Sequence, residues 1–155
     1  MMQYRISKYN PEFQNERKFE EDDFTSISDV GKVYDGKMIS MEDYLEEEVH
    51  YVQLLSELAS EANLFPFLIC DLEKYNDEKK WKESQEITLE NFAELVCDCL
   101  REDIWCRLNS KQGGFVHFGY DMYVYIGCNL PSERVSATAH LNSLFCEEMI
   151  SPYHE

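Results

Sequence analysis

Apolar spacing along this chain predicts an α+β domain: a largely antiparallel sheet with two main helices packed on one face. Three observations carry that expectation. Residues 40–63 and 88–100 repeat apolar side chains at helical spacing. Other short segments alternate with the period of a strand, or form brief apolar runs bounded by turn residues. The candidate strands between residues 104 and 126 follow one another through short turns, and only antiparallel neighbours can be joined so tightly. Residues 1–155 are read as one domain, with enough chain to bury roughly 70% of the unfolded surface.

The elements follow in order. Gln3-Tyr4-Arg5-Ile6-Ser7-Lys8-Tyr9 alternates, with Tyr4 and Ile6 on one face, and Asn10-Pro11 ends the strand. Residues 12–39 read as an irregular connection with the acidic run Glu20-Glu21-Asp22-Asp23 and a turn at Asp35-Gly36. Ser40 and Asp43 are spaced as a capping box, and Met41, Tyr44, Leu45, Val52, Leu55, Leu58, Ala59 and Ala62 form an apolar stripe to about Asn63. Glu42, Glu46, Glu47 and Glu57 take the other face. Phe67–Glu73 begins apolar on both sides, as an inner strand does.

Residues 74–87 read as a charged loop containing Trp81. Thr88 caps a second helix with Leu89, Phe92, Ala93, Val96, Cys99 and Leu100 on its stripe. Ile104–Leu108, a turn over Ser110–Gly114, and Phe115–Phe118 make a hairpin. A turn at Gly119-Tyr120-Asp121 leads into Met122–Ile126. Pro131 opens a short helix over Ser132–Leu141, and Leu144–Met149 returns as a final strand.

Charge bounds the partners. The chain holds 31 Asp and Glu against 14 Lys and Arg, a net charge of −17. Repulsion of that size costs stability in the compact state, which points to a basic partner or a need to avoid anionic ones, the plain alternative being an acidic surface that serves solubility alone. It argues against nucleic acid and against an anionic membrane surface, since both are held by clustered Lys and Arg. An acidic disordered tail is excluded too, because 10 Tyr, 9 Phe and 2 Trp are the composition of a core. No apolar stretch follows the first residues as in a secretion signal, so the expected compartment is the cytosol. Cys70, Cys97, Cys99, Cys106, Cys128 and Cys146 contain no C-x-x-C pair and are expected as reduced core thiols.

Candidate chemistry is sparse. There is no phosphate-binding glycine loop and no G-x-S-x-G elbow, and nothing calls for a cofactor or metal. His117-Phe118-Gly119-Tyr120-Asp121 places a base and a carboxylate near one turn, which suits a small hydrolase or metalloenzyme. The same residue types also serve a plain turn, where Asp bonds its own backbone and Gly takes positive φ. His50, beside Glu46 and Glu47, reads as a surface pairing.

Tyr4–Pro11, Thr25-Ser26-Ile27-Ser28-Asp29-Val30-Gly31, Val116–Asp121 and the Ser151-Pro152-Tyr153 ending resemble a group of small bacterial proteins. In size, acidity and lack of a catalytic motif, the chain resembles immunity proteins of polymorphic toxin and contact-dependent growth inhibition systems. The resemblance implies a cytosolic protein that neutralises a cognate toxin domain by tight binding. It brings no catalytic residues with it. Such toxins are often nucleases with basic clefts, which an acidic surface complements. The candidate toxin-binding residues are Glu42, Glu46 and Glu47 on the first helix, the run Glu20, Glu21, Asp22 and Asp23, and the group Tyr120, Asp121, Tyr123 and Tyr125. A nucleic-acid mimic that inhibits a basic protein shares the acidity, and the enzyme around His117 and Asp121 stays open beside it.

Overall fold

Alternation at the N-terminus places Tyr4 and Ile6 inward from β1 (Met2–Ser7), and both are fully buried. The computed structural model describes residues 1–12, 24–34 and 36–153. The acidic run Glu20–Asp23 and Asp35 lie outside them. Before the first long helix come a 3-10 turn (Ile27–Asp29) and a two-residue hairpin, β2 (Val33–Tyr34) with β3 (Lys37–Met38). Part of the connection read as irregular is therefore regular. Helix α1 (Met41–Glu61) is followed by β4 (Phe67–Lys74), β5 (Glu86–Ile87) and α2 (Leu89–Leu100). Then come β6 (Ile104–Ser110), β7 (Phe115–Phe118), β8 (Val124–Cys128), α3 (Ser132–Leu141) and β9 (Phe145–Glu148).

Seven strands form one sheet in the order β5-β4-β6-β7-β8-β1-β9, and every neighbouring pair is antiparallel. The mixed α+β architecture is the one the spacing predicts. The first strand enters between β8 and β9, so the two ends of the chain are hydrogen-bonded to each other. Register gives two cross-strand rows on opposite faces. Ile69, Leu108, Val116, Ile126 and Tyr4 stand side by side and are buried against the helices. Cys70, Arg107, His117, Tyr125, Arg5 and Glu147 form the adjacent row, which faces the other way.

Several element details depart from the expected ones. The last meander strand starts at Val124 instead of Met122, because Asp121 and Met122 both take positive φ (58° and 63°) and Met122 tucks into the core. The 74–87 segment is not wholly loop, since β5 pairs with the start of β4. In α2, Leu95 and Asp98 are buried while Leu89 and Ala93 are exposed. In α1, Tyr44, Glu48, Tyr51 and Leu54 are buried, whereas Met41 and Leu45 are exposed. No helix among the described residues is long and apolar enough to cross a membrane.

A candidate binding surface and an aromatic pocket

The start of α1 is fixed by the capping box. Asp43 N–H donates to Ser40 Oγ at 3.1 Å, and Ser40 N–H donates to Asp43 Oδ2 at 3.0 Å. The helix buries Tyr44, Glu48, Tyr51 and Leu55 and turns Met41, Leu45 and Val49 outward, 39–50% exposed and one turn apart. Glu42 and Glu46 are exposed beside that apolar row. Glu47 is half-buried and lies 3.4 Å from His50 Nδ1. From Met41 to Glu61 the helix contains no Lys or Arg. Basic residues gather elsewhere: Lys74, Lys79, Lys80 and Lys82 share a shallow depression, with Lys79 paired to Asp98 at 3.0 Å.

Glu48 shows how an acidic helix tolerates a buried carboxylate. Burial alone pushes its carboxyl up. Two hydrogen bonds from Arg101, with Cys97 and Tyr44 adding to their effect, outweigh that and hold it below the ordinary 4.5. Tyr44 is pushed up by its burial and then by Glu48.

The tyrosine group divides. Tyr120 is 82% exposed and Asp121 is exposed beside it. Tyr123 is half-buried, with the Arg5 guanidinium 4.3 Å over its ring and Tyr9 at 5.6 Å. Tyr125 is 7% exposed, which corrects its placement on an open recognition surface. The physical reason is a cover that strand alternation does not reveal. Residues 149–153 cross the outer face of the sheet, pinned by Met149 N–H to Gln3 O (3.1 Å) and Ser151 N–H to Gln3 Oε1 (2.9 Å). Tyr153 then packs edge-on against Tyr125 at 6.1 Å.

The same cover buries His117, which is 2% exposed. Its Nδ1 lies 2.8 Å from Ser151 Oγ, and its ring stacks on Phe115 at 4.1 Å. His117 is thus sealed under the tail while Asp121 stands in solvent. Gly127 is what lets Phe115 lie flat there: any side chain at Gly127 would collide with the Phe115 ring. Among the described residues, no three His, Cys, Asp or Glu side chains converge as metal ligands would. All six cysteines are free thiols. Cys99, Cys106 and Cys128 are buried, while Cys70, Cys97 and Cys146, the three with apolar sequence neighbours, are only half-buried.

Sequence reasoning missed a cavity of 560 Å³ at the end of the sheet where β4, β6 and β7 meet the tail. Trp105 and Tyr153 form its inner walls, Tyr75 and Tyr120 its mouth, and Glu73 and Glu102 its polar lining. A β-bulge builds it. Cys70 faces Arg107, so regular pairing would set Leu72 opposite Trp105; one extra residue sets Glu73 there instead. The bulge is held by Glu83, whose carboxylate accepts from Asp71 N–H (3.0 Å) and Leu72 N–H (2.8 Å). Asp71 itself takes φ 55°. Tyr75 is then anchored by its N–H to Asp103 O at 2.9 Å. The Asp71 conformation and the distant Glu83 clamp leave no local sequence signature.

Comparison with protein-family models, with curated proteins and with solved structures finds no match.

Proposed function

We propose that this chain is a cytosolic immunity protein that neutralises a basic toxin domain, of the nuclease type, by occluding its active cleft. The observation that carries the reading is the row Met41, Leu45 and Val49 exposed beside Glu42 and Glu46, on a helix without a single Lys or Arg. Interfaces combine an apolar centre with a charged rim, and this helix presents both. Carboxylates in a basic cleft stand where substrate phosphates stand, and the net charge of −17 draws the two proteins together before contact. No chemistry by this chain is needed. Tyr120 and Asp121 belong to a second exposed edge, while Tyr125 is removed from the contact set by its burial.

Growth protection tests this. The chain is co-expressed with the toxin domain encoded by the gene immediately upstream. Wild type is expected to protect, and a folded Glu42→Lys, Leu45→Asp, Glu46→Lys variant is expected to fail. No protection by wild type contradicts the function, and full protection by the variant contradicts the surface. Binding of several unrelated basic proteins with similar affinity would favour a nucleic-acid mimic instead.

A further inference from the structure

The cavity beside Trp105 has a largely aromatic lining and, among the described residues, charge of one sign. Its rings are Tyr75, Trp105, Tyr120 and Tyr153, its charged groups are Glu73 and Glu102, and among the described residues no Lys or Arg lines it. The rings are set in place. Trp105 Nε1–H donates to Phe118 O at 2.8 Å, which fixes the indole plane. Tyr153 is held by Arg107 Nη1 on its carbonyl (2.9 Å) and by its own N–H on Ser151 Oγ (3.1 Å). The two rings meet at 5.6 Å, tilted by 56°, and brace each other. At the mouth, burial pushes the Tyr75 phenol up, and Glu73 and Tyr120 add to that rise.

Such a lining selects a cation. π faces attract positive charge, and two carboxylates with no opposing cation strengthen that attraction and repel anions. A neutral apolar ligand would leave Glu73 and Glu102 without use. A guanidinium fits better than an ammonium, being planar, weakly hydrated and able to stack on a ring while forking to a carboxylate. The molecule already uses that geometry on the same sheet face, where Arg5 lies over Tyr123 and pairs with Glu147.

We infer that this pocket receives an arginine side chain of a partner protein, stacked against the Trp105–Tyr153 pair and neutralised by Glu73 and Glu102. That the arginine belongs to a toxin domain rests on the function proposed above. That the pocket takes an arginine side chain stands without it.

The test follows the Trp105 indole N–H signal by NMR, assigned through Trp105→Phe. N-acetyl-arginine methylamide, its lysine counterpart and the neutral citrulline counterpart are titrated separately. The arginine compound is expected to shift the signal with a dissociation constant on the order of millimolar, as befits so small a ligand. Lysine should bind more weakly and citrulline about three- to fivefold more weakly still. Glu102→Gln and Tyr120→Ala, both at exposed positions that leave the fold intact, should each weaken arginine binding about threefold. No shift with arginine, equal shifts with citrulline, a stronger response to lysine, or unchanged binding in both variants overturns the proposal. Arginine binding without growth protection retires the toxin reading and keeps the pocket; protection without arginine binding does the reverse.

Discussion

Arg101, one residue past the end of α2, grips Glu48 in the middle of α1 with two hydrogen bonds, Nε to Oε2 at 2.8 Å and Nη2 to Oε1 at 2.6 Å. The carboxylate is buried and the guanidinium is partly open to solvent. The pair ties α1 to α2 close to the exposed row Met41, Leu45 and Val49.

Removing Arg101 leaves Glu48 buried beside Tyr44 and Cys97 without its cation. Arg101→Ala is expected to cost about 2 kcal/mol, below the range for fully buried pairs because water reaches the guanidinium. Glu48→Gln, which keeps the shape and can still accept from Arg101, should cost less. Urea unfolding of the two variants measures both; equal, negligible losses would show that the pair does not hold the helices.

Acid should weaken the fold in a defined window. Glu48, Asp29 and Asp43 all sit below their ordinary values of 4.5, 3.8 and 3.8 in the folded chain, despite the opposing pull of burial. Glu48 owes this chiefly to Arg101, Asp29 to Thr25 N–H and Lys32, and Asp43 to Ser40. A depressed folded pKa gives stability that is full above the unfolded value and is lost as pH falls through the folded one. Unfolding midpoints should therefore hold steady with respect to these groups down to about pH 5 and drop below it. The difference between wild type and Glu48→Gln should shrink as pH is lowered. A constant difference from pH 7 to pH 3 would contradict the assignment.

Thiol reactivity should report the interior. Burial, followed by Glu48, pushes Cys97 up to about 12, and burial, followed by Cys128, pushes Cys146 up to about 12. Thiolate is the reacting form, so alkylation of native protein at pH 8 should be at least about tenfold slower than in denaturant. Six thiols should then appear on unfolding without reductant. Fewer than six would reveal disulfides.

Much of this was legible before the structure. The capping box at Ser40 and Asp43, the helix at Ser132–Leu141 and the β6–β7 hairpin all follow from local chemistry, and local chemistry is what a sequence displays. The exposed row on α1 was not. Met41 and Leu45 keep helical spacing with the core residues, but the buried stripe runs through Tyr44, Glu48, Tyr51 and Leu55 and takes in the Glu48 carboxylate. That burial depends on Arg101, 53 residues away. Tyr125 was misplaced for a similar reason, since its cover comes from residues 149–153. The pocket needed a bulge whose clamp, Glu83, is remote from it in the chain.

The central claim is that acidity steers binding. The decisive measurement is the association rate with the upstream gene product by surface plasmon resonance, across a sodium chloride series. Exposed charges are screened beyond about 8–10 Å at physiological salt, so the rate should fall steadily as salt rises. Glu42→Lys with Glu46→Lys should slow association about tenfold at low salt and change dissociation little. An association rate that ignores both salt and charge reversal would contradict the account and leave the −17 charge without a role in binding.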